Sequence, residues 1–241
     1  MVDALDISLV VPVHNEAATI APSVQSWLEV FRATGLRAEI VIVDDGSTDG
    51  TGDVLATLAK GHRSLRILQQ RQAGHGAAVV AGYRAARGTW VMQVDGDDEI
   101  GAEHFAALWG ARLAEGLVLG RRDAALRPGV RRVITACAAA GVRVASSTRV
   151  HDPNVPFRLL SRRRLDEFLE VLPAGLFAPN LAMSLYAAQR GWPLAEVPVV
   201  ERPRVATRQP LGGMRLWRAV FRTVRQSIAF GRTMRRQSRR S

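Results

Sequence analysis

Residues 39–47 read Glu39-Ile40-Val41-Ile42-Val43-Asp44-Asp45-Gly46-Ser47, an apolar and mostly β-branched run that stops abruptly at two carboxylates and a turn-forming pair. A run of this kind is typical of a strand that is buried on both faces of a parallel sheet. Similar runs predict strands at 7–13, 65–68 and 89–94, with helical patterns between them at about 17–31, 51–60 and 77–86. Strands that alternate with helices indicate an α/β protein whose mostly parallel sheet is flanked by helices.

Polar clusters follow three of these strands, at the point where each strand ends. They are His14-Asn15-Glu16, Asp44-Asp45-Gly46-Ser47 and the acidic segment from Asp95 to Glu99. In open parallel sheets, ligands bind beyond the carboxyl ends of the strands. We therefore expect the three clusters to meet at one edge of the sheet, although they are far apart in the chain.

The second half of the chain is less regular. It predicts a strand at 157–160, a helix that Ser161 can cap, a loop within 142–155 and a helix at 177–189. A last strand at 196–200 contains Pro198, which cannot donate to a ladder, so this strand is expected at the edge of the sheet.

Charge and cysteine content exclude some classes of protein. The single cysteine, Cys137, excludes an intramolecular disulfide framework and a cysteine-based zinc site. The net charge is +11, but twelve arginines and no acidic residue follow Glu201. The basic character therefore belongs to the C-terminal tail and not to the body of the protein.

The acidic segment Asp95-Gly96-Asp97-Asp98-Glu99 predicts a metal site. Carboxylates packed together repel one another, and a divalent cation such as Mg²⁺ or Mn²⁺ removes that conflict. Such an ion is often shared between one or two carboxylates and the phosphates of a substrate, and it neutralises charge on a departing diphosphate. The alternative is a solvated acidic turn at the end of a strand.

Two other motifs carry weaker signals. Asp44 and Asp45 could accept hydrogen bonds from a nucleobase or a ribose, although Asp, Ser and Thr also favour turns and helix caps. Gly76, in the segment Gly74-His75-Gly76, is expected to let a helix begin close to the donor. His14 and His75 have no His or Cys partner at ligand spacing, which argues against a histidine metal site.

Four motifs together resemble family 2 glycosyltransferases of the GT-A fold, whose nucleotide-binding sheet is Rossmann-like. They are Val11-Pro12-Val13-His14-Asn15-Glu16, Val43-Asp44-Asp45-Gly46-Ser47-Thr48-Asp49, Gly74-His75-Gly76-Ala77-Ala78 and Asp95-Gly96-Asp97-Asp98-Glu99. Three segments of the second half look like dolichol- and polyprenyl-phosphate mannose synthases. They are Asp152-Pro153-Asn154-Val155-Pro156-Phe157-Arg158-Leu159, Ala178-Pro179-Asn180 and Glu196-Val197-Pro198-Val199.

This resemblance implies an inverting transferase and a role for particular residues. The nucleoside and its sugar would contact Pro12, His14, Glu16, Asp44, Asp45, Gly46, Gly76 and Asp95. The metal and diphosphate would be bound by Asp95, Asp97 and Glu99, with Asp95 and Asp97 also central to catalysis. Phosphates would be clamped by Arg121, Arg122, Arg131 or Arg132. Glu99 replaces a glutamine common in the family, and Thr207 and Gln209 replace the Gly and Ser of an Arg-x-x-Gly-x-Ser loop that begins at Arg204.

The resemblance also bears on the acceptor. Many family 2 enzymes place a catalytic base where this chain reads Phe177-Ala178-Pro179-Asn180, which has no carboxylate. A phosphate acceptor is already anionic and needs positive charge instead of a base, which Arg158 could supply. The expected reaction is therefore transfer from GDP-mannose or a UDP-sugar to polyprenyl phosphate. Transfer to a hydroxyl of a soluble acceptor stays open, with Asp152 as its base, while the intact acidic motifs argue against a non-catalytic binding protein.

The tail adds an expected partner. Met214, Trp217, Phe221, Val224 and Ile228 form one apolar stripe of a basic amphipathic helix, which suits an anionic membrane surface. Packing of this helix on the body is the alternative, and no recognition fold supports nucleic-acid binding. We expect a GT-A domain over 1–205, with a nucleotide-sugar half (1–100) and an acceptor half (101–205), and a tail over 206–241. Without a basic signal peptide or a stretch of roughly 18 apolar residues, a cytoplasmic protein on the membrane face is expected.

Overall fold

The computed structural model describes residues 4–112, 116–123, 135–136, 138–140, 142–143, 150–173 and 175–203. Within these residues a seven-stranded sheet carries helices on its faces. Its strands are β1 (Ile7–Val13), β2 (Ala38–Asp44), β3 (Leu65–Gln69), β4 (Trp90–Gln93), β5 (Leu117–Arg122), β6 (Arg158–Ser161) and β7 (Leu194–Val199). Their order is β3-β2-β1-β4-β6-β5-β7, so one sheet joins strands from both halves of the chain.

Strand β6 is the one antiparallel member of this sheet among the described residues. It pairs antiparallel with β4 and with β5, while the other neighbouring pairs are parallel. The carboxyl ends of β1, β2, β4 and β5 therefore lie at the same edge of the sheet. That edge is where a parallel α/β sheet places its ligands.

The helices follow from the apolar periodicity of the sequence. They are α1 (Ile20–Thr34), α2 (Thr51–Gly61), α3 (His75–Ala85), a 3₁₀ turn (Ala102–His104), α4 (Phe105–Gly110), α5 (Arg162–Val171) and α6 (Pro179–Gln189). Ser161 caps α5, because its side chain accepts a hydrogen bond from the backbone N–H of Arg164. Strands β1 and β2 are almost completely buried between the two helical layers, which explains their continuous apolar runs.

The predicted fold class is confirmed, with one strand missed and some boundaries shifted. Strand β5 lies between β6 and β7, and its Leu117–Leu119 core is fully buried, but this short run was not predicted as a strand. The last strand is an edge strand, as Pro198 predicts. Helix α1 begins at Ile20 and not near Ala17, because the backbone carbonyl of Glu16 accepts from Thr19 and Ile20 in a preceding turn.

Several predictions concern residues outside the described ones. Among these residues are Cys137, Arg131, Arg132, Arg204, Thr207 and Gln209. The predicted amphipathic tail at 206–241 also lies outside them. Across the part of the chain that the structure describes, no helix has both the length and the apolar character needed to cross a bilayer.

Candidate active site

A cavity of about 140 Å³ lies at the carboxyl edge of the sheet, where β1, β2 and β4 end. Six residues that the sequence analysis selected line it: Pro12, His14, Glu16, Asp45, Asp95 and Asp97. These residues come from three different strand ends and are brought together by the parallel sheet. The predicted convergence of the polar clusters is therefore observed.

Asp45 organises one wall of this cavity through hydrogen bonds to the loop before α3. Its side chain is only 3% exposed. One carboxylate oxygen accepts from Gln70 Nε2 at 2.7 Å and from the backbone N–H of Ala73 at 2.8 Å, and the other accepts from the N–H of Gly74 at 2.8 Å. A carboxylate is the side chain that can accept all three bonds, so Asp45 fixes the loop that borders the cavity.

His14 is held in one tautomer by its two neighbours. Its Nδ1 lies 2.9 Å from the backbone carbonyl oxygen of Asp45, which can only accept, so Nδ1 carries the proton and donates. Its Nε2 is 3.1 Å from Gln72 Nε2 and can accept from that amide. A neutral imidazole with this orientation presents a defined ring to the cavity.

The acidic turn after β4 contributes Asp95 and Asp97 to another part of the cavity lining. Oδ1 of Asp97 accepts from the backbone N–H of Glu99 at 3.3 Å, and Oδ1 of Asp95 lies 3.6 Å from Nε2 of His75. Two carboxylates at a cavity wall fit a hard divalent cation that takes its remaining oxygens from phosphates. Among the described residues no three His, Cys, Asp or Glu side chains are grouped closely enough to hold a metal, and the ligand set of Asp95, Asp97 and Glu99 stays a prediction.

Three residues that were predicted to contact the nucleotide-sugar do not line the cavity: Asp44, Gly46 and Gly76. Asp44 instead accepts from the backbone N–H of Ser47 at 3.0 Å, which is the turn-forming alternative. Gly46 has φ of 70° beside Gln72, a backbone conformation that favours glycine. At Gly76 a Cβ would lie 2.6 Å from the carbonyl oxygen of Phe177 and 2.7 Å from that of Leu176, so this glycine lets α3 approach the segment before α6.

Arg158 is not placed where a phosphate could reach it, which corrects the prediction that it binds the acceptor. Its side chain is 0% exposed, and its guanidinium donates to the backbone carbonyls of Val155, Asn180 and Pro153 at 2.5–3.3 Å. Burial lowers the pKa of Arg158 to about 10, against the opposing charge of Asp152. Arg158 therefore links the segment 153–155 to the start of α6 through hydrogen bonds.

Asp152 is buried in an ion pair with Arg122, so its carboxylate is not placed to act as a base toward an acceptor. It is 2% exposed, and its two oxygens accept from Arg122 Nε at 2.6 Å and Nη2 at 3.2 Å. Arg122 Nη1 also donates to Glu201 at 3.1 Å. Burial opposes the charge on Arg122, but its bond to Asp152 and the nearby carboxylates outweigh this and raise the pKa of the guanidinium.

The sequence analysis missed part of the cavity wall. Gln72, Gly74, His75 and Ala78 also line it, and all four lie in or directly after the loop that Asp45 anchors. The glycine-rich segment at the start of α3 was the available signal, but only Gly76 of this segment was predicted to contact the nucleotide-sugar. Arg121 is exposed at the carboxyl end of β5, on the same edge of the sheet as the cavity.

Solved structures with the same fold support this architecture. A glucosyl-3-phosphoglycerate synthase from Mycobacterium tuberculosis, solved with Mn²⁺, UDP and glucosyl-3-phosphoglycerate, is 22% identical with a TM-score of 0.67 and covers 94% of this chain and 80% of its own. A mannosyltransferase from Pyrobaculum calidifontis, solved with GDP-mannose and Mn²⁺, is 21% identical with a TM-score of 0.68 and covers 95% of this chain and 65% of its own. Both are similar in fold, and this chain therefore has the GT-A architecture.

Curated relatives are similar in sequence over much of the chain. An undecaprenyl-phosphate 4-deoxy-4-formamido-L-arabinose transferase from Pseudomonas paraeruginosa is 30% identical over 184 residues, which are 73% of this chain and 53% of that protein. A dodecaprenyl-phosphate galacturonate synthase from Rhizobium johnstonii is 38% identical over 98 residues, 40% of this chain and 29% of that protein. The chain spans about half the length of the first of these relatives. The family model described as glycosyl transferase family 2 matches residues 8–159, more than half of the chain, and this chain therefore belongs to glycosyl transferase family 2.

Proposed function

We propose that this protein transfers a sugar from a nucleotide diphosphate-sugar to polyprenyl phosphate in a reaction that requires a divalent cation. The observation that carries the proposal is the single cavity on which Asp45 and Asp97 meet from separate strands. One wall offers a fixed carboxylate and a neutral imidazole, and the other offers two carboxylates at a turn. These groups suit a nucleoside on the first wall and a metal-bound diphosphate on the second.

Donor binding is supported by the chemistry of the two walls. Asp45 and His14 are held rigidly by backbone groups, so they offer a preorganised surface to a base or ribose. A cation between Asp95 and Asp97 would supply Lewis-acid stabilisation of the departing diphosphate. Mn²⁺ accompanies nucleotide or nucleotide-sugar in two solved proteins of the same fold, which favours Mn²⁺ or Mg²⁺ here.

The acceptor proposal is supported by the two positions that were considered for a base, because neither offers an exposed carboxylate. Asn180 occupies the position where a base was considered, and Asp152 is buried in its pair with Arg122. A phosphate acceptor needs no base but does need positive charge, and Arg121 is an exposed arginine at the carboxyl end of β5, on this edge of the sheet. The names of the relatives from Pseudomonas paraeruginosa and Rhizobium johnstonii both specify polyprenyl-phosphate acceptors.

A lipid acceptor would bring the reaction to a membrane surface. We place the protein peripherally on the cytoplasmic face, where the arginine-rich residues 206–241 would attach to anionic lipids. In this proposal residues 1–205 form the transferase domain, with a donor half before residue 100 and an acceptor half after it. The tail contributes affinity for the membrane and no catalytic group.

The test is label transfer by the purified full chain. The protein is incubated with Mn²⁺, undecaprenyl phosphate in detergent and radiolabelled GDP-mannose or one of several UDP-sugars, and lipids are then extracted. We expect label in the organic phase with at least one donor. Asp97→Asn should abolish it, and the exposed control Asp53→Asn in α2 should not. Donor consumption with label only in water-soluble product would contradict the lipid acceptor, and no metal-dependent consumption of any donor would contradict the transferase proposal.

A further inference from the structure

The segment that follows β7 crosses the acidic turn and bonds to it at three points. The Arg202 guanidinium forms ion pairs with Asp98 and, at 2.6 Å, with Oε2 of Glu103. The backbone N–H of Arg202 donates to the carbonyl oxygen of Glu99 at 2.7 Å. One residue therefore holds both the side chains and the main chain of the segment that carries Asp97.

These contacts divide the carboxylates of the turn into two groups. Asp98 and Glu103 point to Arg202, while Asp95 and Asp97 line the cavity. Clustered carboxylates repel one another, so a cation on the outer side of the turn favours this division. The planar guanidinium suits the task, because its forked donors can bind two carboxylates in fixed directions.

The backbone bond leads directly to Asp97. Arg202 holds the peptide of Glu99 through its carbonyl oxygen, and the N–H of Glu99 donates to Oδ1 of Asp97. Between them Asp98 has φ of 55°, a left-handed conformation that few residues other than glycine adopt readily. If Arg202 were displaced, Glu99 would lose the hydrogen bond to its carbonyl oxygen. The left-handed conformation of Asp98 would then be held less firmly, and so would the Asp97 carboxylate that accepts from Glu99.

The neighbouring residue connects the same segment to the acceptor side. Glu201 accepts from Arg122, which forms the buried pair with Asp152. Gly101 lies directly beside the ends of the Arg202 and Glu103 side chains, so a side chain at position 101 would require these ends to shift. Residues 201 and 202 thus join the acidic turn to the acceptor-side segment.

We infer that Arg202 is a positioning residue that sets the geometry of Asp95 and Asp97 and thereby the affinity of the turn for a divalent cation. This inference rests on the proposed function, because it assumes that the cation binds at these carboxylates. Arg202 itself does not line the cavity. Residues that orient metal-binding groups in this way commonly contribute about 10-fold or more to metal affinity.

The direction in which Mn²⁺ affinity changes when Arg202 is removed distinguishes an effect on the geometry of the turn from an effect of charge alone. Loss of a nearby positive charge by itself would strengthen cation binding, whereas a loosened turn would weaken it. We expect Arg202→Ala to bind Mn²⁺ about 10-fold more weakly. Arg202→Lys keeps the charge and loses the fork, and it should fall between Arg202→Ala and the wild type. The matched control is Arg37→Ala, which removes an exposed arginine paired with Asp6 at the other end of the sheet.

The experiment is a titration of the full-length variants with Mn²⁺ followed by electron paramagnetic resonance at a fixed concentration of UDP or GDP. Nucleotide affinity without metal should be equal in all variants, and circular dichroism should show equal folding. Turnover of Arg202→Ala should recover at saturating Mn²⁺, as a change in affinity requires. Unchanged or tighter Mn²⁺ binding in Arg202→Ala would overturn the inference while leaving the proposed function intact. A wild type that binds no Mn²⁺ would overturn the metal proposal and this inference with it.

Discussion

Asp45 and Asp97 face the same cavity from the ends of β2 and β4, two strands that are separated in the sheet by β1. Asp45 is immobilised by three hydrogen bonds to the loop before α3, and Asp97 is held by the turn that Arg202 crosses. Asp45 therefore holds the loop that forms part of the wall, while Asp97 is the carboxylate that we propose binds the cation. This division of roles leads to distinct expectations for the two residues.

Asp45→Asn should damage both stability and nucleotide binding. An amide nitrogen would face an N–H donor from Gln70, Ala73 or Gly74 and leave it without an acceptor. We expect the free energy of unfolding to fall by about 1–3 kcal/mol, as for other buried groups left unsatisfied. Urea unfolding and UDP or GDP titration would measure the two effects. Full stability with unchanged nucleotide affinity would show that the loop does not depend on this carboxylate.

Gly76→Ala should be destabilising because the new methyl group would collide with backbone. Its Cβ would meet the carbonyl oxygens of Leu176 and Phe177, and backbone cannot move aside as easily as a side chain. We expect a loss of about 1–3 kcal/mol in unfolding free energy. Gly61→Ala is the matched control, since nothing lies within 4 Å of its Cβ and alanine favours a helix. Equal stability of the two variants would contradict the close approach of α3.

Asp152→Ala should lower the free energy of unfolding strongly, although Asp152 does not line the cavity. It would leave the largely buried guanidinium of Arg122, which stays protonated as arginine does in proteins, with only its bond to Glu201 among the two carboxylates described above. Breaking one side of a buried pair costs about 3–5 kcal/mol. The double variant Arg122→Ala/Asp152→Ala removes both members of the buried pair and should lose less than the sum of the two single variants. Strict additivity in denaturant unfolding would contradict a coupled pair.

Asp49 should make stability depend on pH in the acid range. Slight burial opposes its ionisation, but hydrogen bonds from Thr51 and from the N–H of Ala17 outweigh this and lower the pKa of Asp49 below 3.8. A lowered folded pKa gives stability that is present above 3.8 and is lost as the pH falls through the folded value. The wild type should therefore exceed Asp49→Asn in unfolding free energy at pH 7 and lose that advantage as the pH falls below 3.8. If the wild type instead became more stable relative to Asp49→Asn as the pH fell, the lowered pKa of Asp49 in the folded protein would be refuted.

The donor half of the fold follows from sequence because its signals are local. Apolar runs at 7–13 and 39–43 end at polar clusters, and a parallel sheet must bring such ends to one edge. Strand β5 escaped because Leu117–Leu119 is too short for its period to be recognised. Its place between β6 and β7 depends on pairing with strands that lie far away in the chain, so a local sequence pattern could not predict it.

The candidate site was predictable in composition but not in the direction of its side chains. The carboxylates of Asp95 and Asp97 were identified from their position after a strand, and both line the cavity. By contrast, the sequence could not reveal that Arg158 points into the interior or that Asp152 is paired with Arg122. Both outcomes depend on partners far away in the chain, as does the contact of Arg202 with the acidic turn.

The account depends most directly on whether a divalent ion joins the acidic turn to a nucleoside diphosphate. Calorimetric titration of UDP and GDP into the full chain, with and without Mn²⁺, measures this in the wild type and in Asp97→Asn. We expect Mn²⁺ to tighten binding of one nucleotide in the wild type by about 100-fold, and we expect the tightening to vanish in Asp97→Asn. Equal nucleotide affinity with and without Mn²⁺ in the wild type, or full tightening in Asp97→Asn, would contradict the account.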